Sequence, residues 1–238
     1  MFSKETITLK STSAIIVAAG SGTRMKSSVP KPFLALDNNT ILYHTIQRFL
    51  PVADILEIII VTSSQLLTSE CLRASIPKSA PISIRTIAGG KRRQDSVYNA
   101  LQAVNPDSTI VCIHDGVRPF IHPDTIARTI KLCDLYDGAI VAVPSINTLK
   151  QIQDQLIVKT IDRDIIWQAQ TPQTFRKDIL INAYKQAFRH NITGTDDASL
   201  IEQTGGRIAI VEGSPWNIKI TGRQDLFIAQ SILDKGAI

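Results

Sequence analysis

Residues 13–34 read S-A-I-I-V-A-A-G-S-G-T-R-M-K-S-S-V-P-K-P-F-L. Ala14 to Ala19 is a short apolar run with the length and composition of a buried parallel strand. It breaks at Gly20-Ser21-Gly22, and cations follow at Arg24, Lys26 and Lys31. A strand that ends in small residues leaves backbone N–H groups at its carboxyl end open to an approaching anion. Arg24 and Lys31 add mobile positive charge at the same point. The reading is a phosphate cradle.

Two other glycine-loop chemistries are excluded. A phosphate-binding P-loop closes on Gly-Lys-Ser/Thr, whereas Gly22 is followed by Thr23-Arg24. A dinucleotide fingerprint needs a third glycine where Met25 stands, and an acid roughly 20 residues on.

Working outward, Thr40 can cap a helix to about Leu50, with Ile41, Leu42, Thr45, Ile46 and Phe49 at helical spacing. Ile55 to Val61 is a second buried strand. A short helix around Gln65 to Leu72 and a strand around Ile82 to Ile87 follow. This alternation predicts an α/β fold, a Rossmann-like, doubly wound, mostly parallel sheet with helices on both faces. Ligands of such sheets sit beyond the carboxyl ends of the strands.

Candidate residues fall at those ends. Ala88-Gly89-Gly90 precedes Lys91-Arg92-Arg93-Gln94-Asp95-Ser96 and a helical pattern through Val97, Leu101 and Val104, so unpaired N–H groups can meet an anion or a base there. Thr109 to Ile113 is a strand ending in His114-Asp115-Gly116-Val117-Arg118-Pro119. Asp115 can hold Mg²⁺ together with substrate phosphates, and Arg118 can grip a phosphate, or the two can simply pair. His114 reads as structural.

Pro123 opens another helix and Gly138 to Val143 is a fifth strand. Thr148 to Ile152 and Leu156 to Ile161 then read as a hairpin across Gln153-Asp154-Gln155, an arm over about 145–165 with little core of its own. Trp167 and Phe175 read as core. Arg176 to Arg189 is an amphipathic helix, Thr195-Asp196-Asp197 caps a shorter one over Ala198 to Thr204, and Ile208 to Val211 is a strand. Asn217 to Thr221 reads as a further strand whose Lys219 needs a partner or a ligand, and Asp225 to Leu233 as a closing helix.

A-A-G-S-G-T-R-M with P-K resembles the signature loop of the pyrophosphorylase-like nucleotidyltransferases. H-D-G-V-R-P, D-R, Q-T-P-Q and N-I-K-I-T narrow the resemblance to the 2-C-methyl-D-erythritol 4-phosphate cytidylyltransferase family, from about Ala14 to about Leu233. The resemblance implies a nucleotide-diphospho-sugar transferase type of sheet, CTP and 2-C-methyl-D-erythritol 4-phosphate as substrates, Mg²⁺ as the cation, and a homodimer built through the arm. It implies catalytic roles for Arg24, Lys31, Arg163 and Lys219. Ala18, Ala19, Gly20, Gly90, Ser96, Asp115, Arg118, Thr148 and Thr171 become substrate-binding positions, with Arg163 reaching the acceptor across the dimer interface. Departures are Lys91 where family members often have an acid, Pro32 after P-K, and Gly116-Val117 for Ala-Ala. A transferase for another polyol phosphate such as ribitol 5-phosphate, and a noncatalytic nucleotide-binding protein, are the alternatives.

The 238 residues, 44% hydrophobic and 20% charged, suit one domain over 1–238. A net charge of +5 fits an anionic ligand but not nucleic acid, since Lys91-Arg92-Arg93 has no interleaved aromatics. Met1 to Thr12 lacks a signal-peptide core and no run approaches the roughly 18 residues of a membrane span. Three scattered cysteines suit a reduced, cytoplasmic protein.

Overall fold

The computed structural model describes residues 11–20 and 29–236. In chain order these form β1 (Thr12–Val17), a 3₁₀ turn over Lys31–Phe33, the small hairpin β2 (Ala35–Leu36) and β3 (Asn39–Thr40), then α1 (Ile41–Phe49) and β4 (Ile55–Thr62). Next come α2 (Glu70–Ser75), β5 (Ser83–Ala88), α3 (Arg93–Leu101), β6 (Ile110–Asp115), α4 (Pro123–Leu132) and β7 (Gly138–Pro144). The chain ends with β8 (Leu149–Gln153), β9 (Leu156–Ile161), β10 (Trp167–Arg176), α5 (Lys177–Arg189), α6 (Asp197–Glu202), β11 (Ile208–Glu212) and α7 (Arg223–Asp234).

Seven strands make one sheet in the order β11-β7-β10-β6-β1-β4-β5. All neighbours run parallel except β10, which is antiparallel to both β6 and β7. Alternation along each strand divides the core in two. Ala14, Ile16, Ile58, Ile60 and Cys112 point to the side covered by Leu42, Ile46 and Phe49 of α1 and Ile126 and Ile130 of α4. Ile15, Ile59, Val61, Val111 and Ile113 point to the side covered by α3, α5 and α6. Both faces are covered, which is why these strands read as unbroken apolar runs. A third cluster packs α7 through Ala229 and Ile232 onto Leu36, Ile41, Phe120 and Ile220. No helix among the described residues is long and apolar enough to cross a membrane.

Several expectations need correcting. The first strand stops at Val17, so Ala18 and Ala19 already lie beyond it, whereas β6 extends through Asp115. The short helix expected over 65–72 is a 3₁₀ turn (Ser64–Leu66) followed by α2, which Ser69 caps by accepting from Leu72 N–H. Residues 217–221 are not a strand: they pass beside residue 117 with one backbone bond, Ile220 N–H to the Val117 carbonyl at 2.9 Å. Phe175 is fully buried as expected, but Trp167 is 37% exposed. Most consequential, the sequence reading contained no strand over 167–176, and the structure seats β10 there, next to the centre of the sheet.

The hairpin over residues 149–161 forms its own two-stranded sheet, with Gln153 opposite Leu156. The turn residues Asp154 and Gln155 both have positive φ, 49° and 65°, the backbone of a primed two-residue turn. Ile152, Leu156, Ile157 and Val158 are all more than half exposed on this arm.

Candidate functional site

Strand order reverses around β1: the chain goes first to β4 and β5 on one side, then to β6 on the other. The crevice beyond the carboxyl ends of β1 and β6 is therefore the topological switch point. Val17 lies opposite Asp115 across that pair, and Gly116 N–H donates to the Val17 carbonyl at 2.9 Å. A Cβ on Gly116 would sit 3.1 Å from that carbonyl oxygen, so a small residue suits this close approach. A cleft of about 410 Å³ opens here, and Ala18, Ala19, Gly20, Lys31, Gly90, Ser96, Asp115 and Lys219 all line it. Arg24 and the Ser21-Gly22 turn lie outside the described residues.

Asp115 is the electrostatic centre. Its Oδ2 meets Lys219 Nζ at 2.8 Å and Arg118 Nε at 3.6 Å, and its Oδ1 meets Arg93 Nε at 3.3 Å. Burial opposes the charged form, yet Arg93, Lys219 and Arg118 together hold the carboxyl well below its usual range. Burial pushes Arg118 downward, with Asp115 opposing, and its Nη1 donates to the Asn217 carbonyl at 2.8 Å. Two further pockets adjoin the cleft, and Arg118 and Lys219 line both. The Lys219 segment is tied down at its end by Asp225, whose Oδ2 accepts from Thr221 N–H, Thr221 Oγ1 and Gly222 N–H at 2.6–2.9 Å.

The Gly89-Gly90 turn is built for close approach. A Cβ on Gly90 would lie 2.4 Å from the Asp95 Cβ. Ser96 Oγ accepts from Gly90 N–H at 3.1 Å and donates to the Arg92 carbonyl at 3.0 Å, so Ser96 shapes this wall of the cleft as well as lining it. Lys91 lines the same wall.

His114 is fully buried, and burial lowers it to about 4, so the ring is neutral. Its Nε2–H donates to the Arg118 carbonyl at 3.0 Å, a tautomer assigned from that bond, which leaves Nδ1 to accept from Thr171 Oγ1 at 3.0 Å. Thr171 Oγ1 in turn accepts from Asp115 N–H at 3.1 Å. Thr171 thus fastens the site through β10, and His114 is structural, as the sequence reading had it.

The structure brings Lys31, Asp115 and Lys219 together in the main cleft, with Arg118 in the adjoining pockets and Thr171 in one of them. It does not bring Thr148 or Arg163 there. Thr148 is exposed at the base of the arm, and Arg163 Nη1 donates to the Ile146 carbonyl at 2.8 Å. The sequence reading gave Arg93 no role. Arg93 Nη1 contacts Asp197 Oδ2 at 2.8 Å, and that carboxylate accepts from Tyr184 O–H through Oδ1 at 2.5 Å. Sequence alone makes caps of both carboxylates at 196–197. Asp196 is one, accepting from Ser199 N–H, but Asp197 is 1% exposed and belongs to this ion pair. A signal for Arg93 existed: an arginine at the first position of a helix opposes the macrodipole and calls for an acid nearby.

Among the described residues no group of three His, Cys, Asp or Glu side chains could hold a metal ion. Asp115 is a carboxylate at the cleft, but both its oxygens are already paired, Oδ1 with Arg93 and Oδ2 with Lys219 and Arg118, so it can give Mg²⁺ a ligand only by releasing one of those cations.

Residues 12–235 match the family model described as 2-C-methyl-D-erythritol 4-phosphate cytidylyltransferase. A relative of that name from Clostridioides difficile is 40% identical over 223 residues, covering 93% of each chain. Another, from Syntrophotalea carbinolica, is 43% identical, covering 92% of this chain and 95% of its own. The crystal structure of 4-diphosphocytidyl-2C-methyl-D-erythritol synthase from Anaerococcus prevotii superposes with a TM-score of 0.84 at 32% identity, over 94% of this chain and 96% of that one.

Proposed function

The chain belongs to the 2-C-methyl-D-erythritol 4-phosphate cytidylyltransferase family, and from that premise we propose how its cleft carries out the transfer. The protein is a cytidylyltransferase that moves CMP from CTP to 2-C-methyl-D-erythritol 4-phosphate and releases pyrophosphate. One observation carries the residue-level reading: Lys31 and Lys219 line a single cleft at the switch point, with Asp115 between the strand ends.

A phosphate oxygen of the acceptor attacks the α-phosphorus of CTP, and pyrophosphate leaves in line. The nucleophile is already anionic near neutrality, because a phosphate monoester has a second pKa of about 6. The reaction needs no general base, which agrees with a neutral His114 sealed from the cleft. It needs relief of anion repulsion and alignment. Lys31, with Arg24, stabilises charge on the α- and leaving phosphates. Lys219, steered by Asp115, and Arg118 position the attacking phosphate. Ala18, Ala19, Gly20, Gly90 and Ser96 receive the nucleotide largely through backbone groups. Mg²⁺ bound to the CTP phosphates would neutralise charge there, and Asp115 would ligate it only by giving up a cation it now holds.

Thr148 and Arg163 do not line this cleft, and the exposed aliphatic side chains of β8 and β9 supply a surface for a second copy. The arm of each protomer then completes the partner's site, and one domain with one arm accounts for residues 1–238. A reduced, cytoplasmic protein fits the three scattered cysteines.

The test is Mg²⁺-dependent pyrophosphate release from CTP with methylerythritol phosphate, ribitol phosphate or neither, with Arg163→Ala as control. Release with methylerythritol phosphate alone, lost in the variant, is expected. Preference for ribitol phosphate would overturn the acceptor, and CTP binding without release would overturn the catalytic reading.

A further inference from the structure

Arg93 is a cation at the cleft held by two carboxylates from distant parts of the chain. Its guanidinium meets Asp197 Oδ2 through Nη1 at 2.8 Å and Asp115 Oδ1 through Nε at 3.3 Å. The Asp197 end is rigidly placed. Tyr184, fully buried in α5, donates to Asp197 Oδ1 at 2.5 Å, and the Asp197 backbone N–H donates to Gln173 Oε1 at 3.1 Å. Gln173 also accepts from Ala198 N–H at 3.1 Å and donates to Asp196 Oδ2 at 2.7 Å, locking the start of α6 to β10. The Asp115 end is the opposite case. Its carboxylate is at the cleft wall, and the two oxygens are shared out: Oδ1 to Arg93, Oδ2 to Lys219 and, at 3.6 Å, to Arg118.

We propose that Arg93 is a positioning residue for the transfer: spanning Asp197 and Asp115, it fixes the Asp115 carboxylate so that Oδ2 alone faces the cleft and holds Lys219. The proposal rests on the transferase reading above. A planar fork can take two carboxylates through different nitrogens, whereas a lysine offers a single point charge. Loss of Arg93 leaves Oδ1 without its partner, frees the carboxylate to turn toward either remaining cation, and loosens Lys219. Misplacement of a reacting group by about 1 Å can cost on the order of 10²-fold in rate.

Removing Arg93 alone would strand a buried Asp197 charge and endanger the fold. The deciding variant is therefore Arg93→Gln/Asp197→Asn, which removes the pair together and keeps hydrogen-bonding groups in place; Arg93→Lys is the second. Expected for both are a Tm within about 5 °C of the parent, a raised KM for the acceptor phosphate and a lowered kcat, with kcat/KM down about 10- to 100-fold. Partial unfolding would lower kcat and leave KM alone. A crystal structure of the double variant should show Asp115 turned away from Lys219. Parental kcat and KM in either variant, or Asp115 and Lys219 unmoved, overturns the proposal. If the double variant does not fold, Arg93→Lys decides it. A parent with no pyrophosphate release sinks the transferase reading instead, and the crystal structure still decides the positioning.

Discussion

His114 is more informative for what it withholds than for what it does. Its folded pKa of about 4 lies below the ordinary 6.5, because burial disfavours the imidazolium. As pH falls, the unfolded chain takes up the proton first, so the stabilisation is complete above 6.5 and is lost progressively toward 4. The linked change over that window is on the order of 3 kcal/mol. The plot of Tm against pH should fall steeply between 6.5 and 4, and His114→Asn should flatten it; identical slopes would contradict a neutral buried ring. Lys31→Ala and Lys219→Ala should each lower kcat/KM for pyrophosphate release by about 10²- to 10³-fold. Circular dichroism should show them folded, since neither side chain is part of the buried core. A near-parental rate in Lys31→Ala would remove it from the transfer step.

The elements divide sharply by how readily they could be read from sequence. β1, β4, β6 and β7 are covered on both faces, so their apolar runs announce them. β10 does not, because Gln170, Thr171, Gln173 and Thr174 are buried polar residues satisfied by distant partners. Thr174 Oγ1, for example, bonds Thr129 Oγ1 at 2.8 Å, across 45 residues. No periodicity reports such pairings. Residues 217–221 fail in the other direction: I-K-I alternates like a strand, but the sheet offers it no ladder. That Lys31, Gly90, Ser96 and Asp115 gather at one cleft was legible from residue chemistry at strand ends, while Arg93 was hidden in a run of three cations. Two substitutions test the elements. Gly138→Ala would put a Cβ 2.1 Å from Phe175 Cδ1 and 2.7 Å from the Thr174 carbonyl, where β7 meets β10. Chemical denaturation should show a loss of about 1–3 kcal/mol or more. Asp154→Asn with Gln155→Gly relieves the positive-φ turn, for a gain of about 0.4–1 kcal/mol where folding and arm formation are coupled.

At the scale of the whole molecule, the separation of Arg163 from Lys219 makes the second copy testable. Light scattering should give twice the mass of the chain. Val158→Asp on the exposed arm should shift the protein to monomer and abolish turnover. Mixed Lys219→Ala and Arg163→Ala protomers, denatured and refolded together, should recover activity that neither has alone, because one site in each mixed dimer keeps both cations. Failure to recover would place Arg163 outside the partner's cleft.

The position of β10 also bears on how the protein is made. It lies between β6 and β7, and both precede it in sequence. On a ribosome, β1, β4, β5 and β6 can assemble early, but β6 and β7 each keep a bare flank of backbone donors and acceptors until residue 176 has emerged. Those flanks belong to some of the most apolar strands in the protein, the kind of edge that recruits other chains. The stage at which residues up to about 165 have emerged is therefore the one at which this protein is most exposed to aggregation, and chaperone occupancy along its synthesis should peak there and fall once β10 has been delivered.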